Sequence, residues 1–160
     1  MENRDLYNEN RQKTGEKILK SDPIPENKYI MMVVIFIEND KNEFLIQKRC
    51  AEKGGKWATT GGHPKSGENS LEGILTEVKE ELGINISKPL LFKQAGGKNT
   101  YCDLYYIKEN IDIKSIKIQK EEVDEVKWAS IDEINTLMEN DKFNKGHYMM
   151  FKDCLAYLSR

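Results

Sequence analysis

Residues 62–84 constrain this chain more than any other segment, because a glycine-containing loop there runs into a helix with two distinct faces. Each residue of an α-helix advances by about 100°, so positions i, i+3 and i+4 share one arc. Glu77, Glu80 and Glu81 have this spacing and can converge on one cation. An apolar stripe predicts that the helix packs on a sheet while the acidic face stays open. The stripe consists of Leu71, Ile74, Leu75, Val78 and Leu82.

The same segment resembles the Nudix box, in which glycines, glutamates and apolar residues stand at fixed spacing. The single departure is Thr76, where the family has arginine. The matching positions are Gly62, Glu68, Glu77, Val78, Glu80, Glu81, Gly83 and Ile84. The resemblance covers the box strictly and residues 29–128 loosely. It implies an α/β fold, the Nudix-type α/β/α sandwich with a mixed β-sheet, which agrees with the predicted order of strands and helices.

The resemblance also implies a magnesium-dependent hydrolase that acts on diphosphate linkages, with Mn²⁺ as an alternative ion. Mg²⁺ prefers oxygen ligands and keeps several waters, so a few carboxylates are sufficient to bind it. We expect Glu77, Glu80 and Glu81 to hold the metal, together with a backbone carbonyl near Gly62. Glu68 lies near the junction between loop and helix, where we expect it to hold the loop or to bind metal through water.

Further candidates lie outside the box helix. Glu122 stands in the loop before a later strand, where it resembles an additional metal-binding or base glutamate of the family, and Glu121 is its competitor. The alternative interpretation is that both are solvated charges at the start of a strand. Glu77 and Glu122 are both candidates for activating water, and the sequence does not decide which of them is the base. Arg49 resembles an arginine that contacts a substrate phosphate, and His63 is a second candidate for substrate binding.

The composition of the chain limits the classes of function that it can have. The chain has 160 residues, 38% apolar and 32% charged, which fits one domain with a sizeable core. The net charge is −2 and no basic block is present, so we expect a small-molecule nucleotide or other diphosphate ligand and no general nucleic-acid binding. The longest apolar run is too short to span a bilayer and the polar start is not a signal peptide. We therefore expect no membrane association and a cytoplasmic location.

Residues 1–28 are polar, and we expect an N-terminal extension that packs on a Nudix domain spanning residues 29–160 with helices at its C-terminal end. The box helix should begin after the cap Asn69, with Glu72 completing a capping box, and should stop at Gly83. Two more helices are predicted at residues 131–139, after the cap Ser130, and at 146–158. Strands are predicted at residues 30–37, 44–48, 90–92, 100–107 and 123–128.

Thr76 leaves two interpretations of activity open. Helical geometry places it beside Glu80, where the family arginine would hold the carboxylate and offset its charge. Loss of such support commonly costs about 10–100-fold in activity or metal affinity. The main prediction is a hydrolase that cleaves a diphosphate linkage in a nucleoside diphosphate joined to another group. The alternative is a catalytically weakened, nucleotide-binding protein of the same fold.

A third interpretation is an isopentenyl diphosphate isomerase-like protein, because residues 60–64 resemble the segment where that Nudix-fold enzyme carries a cysteine followed by Gly-His-Pro. Here Gly61 occupies the cysteine position, and the chain has only two histidines, so this interpretation ranks last. His63 is then a loop residue near the phosphates or a cap of the turn before Pro64. A homodimer is the family's common state and is expected on that ground alone.

Overall fold

The computed structural model describes residues 2–160, which form nine strands, three α-helices and two short 3-10 helices. The 3-10 helices span Ala51–Lys53 and Ile113–Ser115. The strands are β1 (Asn3–Tyr7), β2 (Lys13–Leu19), β3 (Ile30–Glu38), β4 (Glu43–Arg49), β5 (Trp57–Ala58), β6 (Thr60–Gly62), β7 (Leu90–Gly96), β8 (Thr100–Lys108) and β9 (Val123–Ser130). The α-helices are α1 (Ser70–Leu82), α2 (Ile131–Glu139) and α3 (Lys145–Tyr157).

Strand β3 lies at the centre of the molecule and is apolar along nearly its whole length because both of its faces are buried. Val33, Ile35 and Ile37 belong to one core. That core also contains Ile74, Val78 and Leu82 of the apolar stripe of α1. Val34 and Phe36 belong to the other core, which contains buried residues of α2 and α3. Helices therefore cover both faces of the sheet, and the predicted α/β/α sandwich is confirmed.

The main sheet contains parallel and antiparallel strand pairs, and its central strands β3 and β4 diverge from each other. Strand β3 runs parallel to β8 along its whole length, whereas β3 and β4 pair only at Glu38 and Phe44, beside their connecting turn. Beyond that point β3 pairs with β6, and β4 pairs with β5 and β9. Because β5 and β6 are consecutive, residues 57–62 cross from one diverging strand to the other. Neither of these two short strands is among the strands predicted from the sequence.

The ends of the box helix agree with the sequence. The Asn69 side chain accepts the Glu72 backbone N–H at 2.8 Å, and the Glu72 carboxylate accepts the Asn69 N–H at 2.9 Å. Gly83 follows the helix with φ of 65°, a left-handed conformation that glycine adopts without strain, and its N–H donates to the Lys79 carbonyl. The same capping box is present at Ser130 and Glu133 before α2. The predicted positions of all three helices are confirmed.

Residues 3–19 form an antiparallel hairpin of β1 and β2 that the sequence analysis did not predict. Two backbone hydrogen bonds, at 2.8 and 2.9 Å, join Tyr7 of the hairpin to Tyr29 at the start of the central strand. The Ser66 backbone N–H also donates to the Asn3 carbonyl at 2.9 Å. The hairpin thus contacts the loop before α1, while the boundary between an extension and a domain stays a prediction.

Within residues 2–160, no helix combines the length and apolar character that crossing a membrane requires.

Candidate functional site

A cleft of about 320 Å³ lies where the central strands diverge. It is bounded by the crossing segment, the acidic face of α1, the loop before β9 and the N-terminal hairpin. Seven of the eight predicted site residues line it, and Glu68 does not. The seven are Arg49, Gly62, His63, Glu77, Glu80, Glu81 and Glu122. The structure therefore gathers residues from four separate parts of the sequence around one cavity.

Glu77 packs directly against the backbone of Gly62. A Cβ atom built at position 62 would lie 2.5 Å from both the Cδ and Oε1 atoms of Glu77, so any side chain there would displace this carboxylate. Burial, followed by the negative charges of Glu81 and Glu80, raises the pKa of Glu77 to about 8. The glycine is thus required by the close approach of helix and loop.

Glu81 is the most buried carboxylate of the acidic face, with 8% of its surface exposed. The Gln47 amide lies 3.4 Å from Oε1 of Glu81, and Gln47 is itself held by a 2.8 Å hydrogen bond from the Thr60 hydroxyl. Burial raises the pKa of Glu81 to about 7, while the Gln47 amide, the positive charge of Arg49 and the Gly61 N–H act in the opposite direction. Gln47 was not identified from the sequence as a site residue.

Glu80 is exposed at the mouth of the cleft and forms an ion pair with Lys65. The hydrogen bond that the Lys65 ammonium donates to Glu80 raises the pKa of Lys65. As the side chains stand, residues 2–160 contain no group of three His, Cys, Asp or Glu side chains gathered around a single point. Glu77 and Glu81 face the cavity, and Glu80 is held to one side by its lysine.

Glu68 braces the loop from outside the cleft. Its Oε1 accepts the Lys65 backbone N–H at 2.7 Å, and its Oε2 accepts the Thr76 hydroxyl at 2.6 Å. Thr76 and Glu80 are one turn apart on α1, but the Thr76 hydroxyl bonds Glu68, so this threonine supports a different box glutamate from the one that the arginine was expected to hold. Of the two roles considered for Glu68, the contacts correspond to holding the loop.

Glu122 faces the cleft from the loop before β9. It forms ion pairs with Lys53, at 2.9 Å, and with Arg49, at 3.8 Å, so it balances the cationic end of β4. Its competitor Glu121 is exposed and does not line the cleft. The Glu121 carbonyl instead accepts the Cys50 thiol at 3.2 Å. The two adjacent glutamates therefore have different surroundings.

Two histidines line the cleft, and burial keeps both neutral near pH 7. Burial and the positive charges of Arg4 and Lys20 lower the pKa of His63 to about 4. Burial also lowers the pKa of His147, at the start of α3, to about 4. The Thr59 hydroxyl and backbone N–H contact its Nδ1 at 2.8 and 3.3 Å. Since a backbone N–H must donate, Nδ1 is the acceptor and the proton resides on Nε2.

Several cleft residues were missed by the sequence analysis, namely Arg4, Lys20, Gln47, Thr59, Gln119 and His147. His147 lies within the helix predicted at residues 146–158, but nothing in the sequence assigned it to a site. Arg4 and Lys20 lie in a polar segment that was expected to wrap around the edge of the domain. No local pattern marks such residues, since the pairing of distant strands brings them to the cavity.

The acidic face fits a divalent cation of the hard, oxygen-binding kind. Two of its carboxylates, Glu77 and Glu81, are held in one cavity by packing on Gly62 and by the Gln47 amide. The raised pKa values of this pair indicate that the ionised forms lack sufficient positive charge nearby. A cation bound between them would supply that charge, and carboxylate oxygen is the ligand that Mg²⁺ and Mn²⁺ prefer.

Comparisons with known proteins agree with this geometry. The NUDIX domain family matches residues 28–154. The chain is 29% identical over 150 residues to an uncharacterised Nudix hydrolase of Listeria monocytogenes, which covers 89% of this chain and 88% of the relative. It is 27% identical over 124 residues to the nucleoside triphosphatase NudI of an Enterobacter species, with 68% of this chain and 88% of the relative covered.

Solved structures show the same fold. The Deinococcus radiodurans protein DR0079 superposes with a TM-score of 0.71 at 20% identity, covering 90% of this chain and 93% of that protein. The NUDIX domain of Shewanella oneidensis NrtR, crystallised with ADP-ribose, superposes with a TM-score of 0.66 at 14% identity, covering 81% and 88% of the two chains. With the family match spanning most of the sequence and the box residues lining one cleft, the chain belongs to the NUDIX domain family, whose relatives named above include hydrolases.

Proposed function

We propose that this protein is a Mg²⁺-dependent hydrolase that cleaves the diphosphate linkage of a nucleoside diphosphate joined to another group, with Mn²⁺ as an alternative ion. The observation that carries the proposal is the pair Glu77 and Glu81, a half-buried and a buried carboxylate with raised pKa values in one cleft. Like charges so placed are expected where a cation binds or a proton is transferred. Family membership supports hydrolysis as the reaction class.

Glu77, Glu80 and Glu81 would hold the cation, together with a backbone carbonyl near Gly62. When bound, a divalent ion supplies positive charge to phosphate oxygens and lowers the pKa of water. Glu80 would have to exchange its Lys65 partner for the cation, and its exposure at the mouth of the cleft leaves room for this change. Glu68 remains a structural brace for the loop in this assignment.

Glu77 and Glu122 are the two candidates for taking a proton from the attacking water. A general base works best when its pKa lies near the working pH, and the burial of Glu77 favours it on this criterion. Glu122 lines the cleft from the loop before β9, outside the acidic face of α1, and lies beside Arg49 and Lys53. Arg49 is placed to neutralise a substrate phosphate while it remains near Glu122.

The substrate class is supported by relatives rather than by a pocket for one base. NudI is named a nucleoside triphosphatase, and the NrtR domain binds ADP-ribose, a nucleoside diphosphate joined to a second group. Hydrolysis of such a linkage yields two phosphate-bearing products, or a monophosphate and pyrophosphate when the substrate is a triphosphate. The expected homodimer and cytoplasmic location stay predictions that light scattering and cell fractionation would test.

The second candidate is a nucleotide-binding protein of weakened activity, which the replacement of the box arginine by Thr76 favours. In this chain Thr76 does support a box glutamate through its hydroxyl, but it supplies no positive charge. The isomerase-like alternative has less support. Its cysteine position is Gly61, where a Cβ atom would lie 2.6 Å from the Val33 carbonyl oxygen, so the backbone leaves no space for a side chain.

The deciding experiment measures phosphate release, with phosphatase or pyrophosphatase coupling, from nucleoside triphosphates, dinucleotides, nucleotide sugars and coenzymes, in Mg²⁺ or EDTA. Metal-dependent turnover of one class is expected, and Glu81→Gln should abolish it while the fold is retained. Glu139→Gln is the matched control, because Glu139 is exposed at the end of α2, outside the cleft. If no compound of the panel is hydrolysed, but a nucleotide raises the thermal melting temperature in a Mg²⁺-dependent way, the nucleotide-binding protein is supported instead.

A further inference from the structure

Arg4 of the N-terminal hairpin is buried in the wall of the cleft and forms no ion pair, although Asp22 is near enough for its negative charge to act on Arg4. Only 8% of its surface is exposed. One of its terminal nitrogens, Nη2, donates to the Lys20 carbonyl at 2.8 Å, whereas Nε is buried and has no hydrogen-bond partner among the described residues. None of the ion pairs within residues 2–160 involves Arg4. A buried donor is therefore left unsatisfied.

This arrangement is costly unless an anion occupies it. A guanidinium stays charged at any ordinary pH, and burying an unpaired charge destabilises the fold. In the planar fork of the guanidinium, the hydrogen bond to the Lys20 carbonyl uses one N–H of Nη2, and the Nε donor has no partner among the described residues. Such a fork matches the geometry of phosphate and carboxylate oxygens, which it binds through two parallel hydrogen bonds.

The position of Arg4 adds a second argument. Arg4 and Lys20 line the same cleft as the acidic face of α1. The other arginine of the cleft, Arg49, is already paired with Glu122. Lys20, like Arg4, has no ion pair within the described residues. We call Arg4 and Lys20 the cationic corner.

We propose that the cationic corner binds a phosphoryl group of the substrate, so that the N-terminal hairpin selects diphosphates carrying an additional phosphate over those whose second group is a neutral sugar. The inference rests on the proposed function for the identity of the substrate, and on Arg4 for the recognition. The phosphoryl group would accept hydrogen bonds from the Arg4 fork while the acidic face acts on the linkage to be cleaved. Arg4 is thus a specificity-determining residue supplied from outside the box.

Calorimetric titration of the full chain with inorganic tripolyphosphate in EDTA tests recognition separately from hydrolysis. Wild-type protein should bind, and Arg4→Gln should weaken binding about tenfold or more, which is the range for a charge-assisted pair. Arg4→Lys keeps the charge without the fork and should bind at an intermediate level. Lys17→Gln is the matched control, because Lys17 is an exposed cation of β2 that does not line the cleft.

Lys20→Gln keeps the test decisive if Arg4→Gln disturbs the hairpin, because Lys20 is exposed and its backbone carbonyl, rather than its side chain, contacts Arg4. It should weaken tripolyphosphate binding several-fold with an unchanged thermal melting curve. Affinities for tripolyphosphate that are equal in wild type, Lys20→Gln and any folded Arg4 variant would overturn the proposal. The absence of binding by the wild-type protein would overturn it as well.

Steady-state kinetics in Mg²⁺ distinguish this inference from the proposed function. If both hold, Arg4→Gln raises KM for substrates with an additional phosphate more than for nucleotide sugars, with a smaller change in kcat. Equal changes in KM for the two classes would contradict the selective role of Arg4. Anion binding that depends on Arg4, in a wild-type protein without turnover, would support the cationic corner and remove the hydrolase assignment.

Discussion

The hydroxyl of Thr76 donates a 2.6 Å hydrogen bond to Oε2 of Glu68, joining the middle of the box helix to the loop before it. The other oxygen of Glu68 accepts the Lys65 backbone N–H, so one carboxylate connects three points of the motif. Thr76 thus braces Glu68 rather than Glu80, which the family's arginine was expected to hold, and it contributes no charge. This contact explains how the loop is held although the box departs from its pattern.

Removing the Thr76 hydroxyl should destabilise the protein moderately. Thr76→Val keeps the shape of the side chain but leaves Glu68 with one donor fewer, which costs about 1–3 kcal/mol for a hydrogen bond to a charged group. Thr76→Ser is the matched control and should stay close to wild type because it keeps the donor. Urea denaturation measures both free energies of unfolding, and equal losses in the two variants would show that the hydroxyl is unimportant.

Gly62→Ala should lower metal-dependent turnover, and the loss of activity should exceed what any loss of folded protein explains. The added methyl group would collide with the Glu77 carboxylate at 2.5 Å and turn it away from the cavity. Displacement of a metal-binding carboxylate is expected to cost about 10–100-fold in metal affinity or activity, as for lost support of a ligand. The measurement is kcat/KM as a function of Mg²⁺ concentration, with the thermal midpoint recorded alongside.

Gly97→Ala provides the comparison for this variant. A Cβ atom there has only an ordinary contact, 3.7 Å from the Thr100 carbonyl oxygen, and Gly97 lies outside the cleft. The substitution should therefore leave turnover within about twofold of wild type, in line with surface changes away from functional groups. If the two alanine variants lose activity equally, the close approach of Glu77 to Gly62 has no functional role.

The sequence predicted the fold well where a local signal coincided with burial. Asn69 and Glu72 predict the start of α1, and Gly83 predicts its end. The apolar run of β3 predicts a strand that is buried on both faces. The N-terminal hairpin was missed because its buried side chains include Arg4, so the strand reads as polar. Its stability comes from pairing and from contacts with distant residues, which composition does not reveal.

For the site, spacing along one helix was sufficient to predict which carboxylates share a face. Spacing does not show partners across the fold, so the hydrogen bond from Thr76 to Glu68 and the support of Glu81 by Gln47 appeared only with the structure. His147 illustrates the same limit, since its lowered pKa depends on burial and on the charge of Arg49. Its tautomer depends on Thr59, 88 positions away in sequence. Residues contributed by tertiary contact carry no local motif.

The pKa values of the acidic face predict how stability changes with pH in the absence of metal. The pKa is raised from 4.5 to about 8 for Glu77 and to about 7 for Glu81. Between these limits the two glutamates bind more protons in the folded protein than in the unfolded chain, so their contribution to the free energy of unfolding falls as pH rises. Below about pH 6.5 His63 and His147, with pKa values lowered to about 4, have the opposite effect, so the net decline is expected between about pH 6.5 and 8. Urea denaturation in EDTA across this range should show the decline.

Glu77→Gln should flatten this decline and make the metal-free protein more stable than wild type at pH 8, because an amide does not ionise. Glu139→Gln is the control and should keep the wild-type slope, since its side chain is exposed outside the cleft. Added Mg²⁺ should reverse the trend, because protons compete with the cation and its affinity then rises with pH. A wild-type slope in Glu77→Gln would contradict the role given to this carboxylate.

The same substitution at the adjacent residues Glu121 and Glu122 tests whether Glu122 takes a proton from the attacking water. Glu122→Gln removes the negative charge that pairs with Arg49 and Lys53 in the cleft, whereas Glu121→Gln changes an exposed side chain outside it. If Glu122 takes the proton from water, kcat should fall by about 10²–10⁴-fold, the usual contribution of a general base. Glu121→Gln should leave kcat within about twofold.

The dependence of kcat on pH separates a base from a residue that only positions Arg49. Loss of the base removes the limb of the profile that reports its ionisation, whereas loss of a positioning contact lowers the profile without changing its shape. If Glu122→Gln retains wild-type kcat and Glu77→Gln loses the acid limb, the proton acceptor is Glu77. The position of Glu122 beside two cations would then serve to orient the substrate phosphates, which a raised KM in Glu122→Gln would reveal.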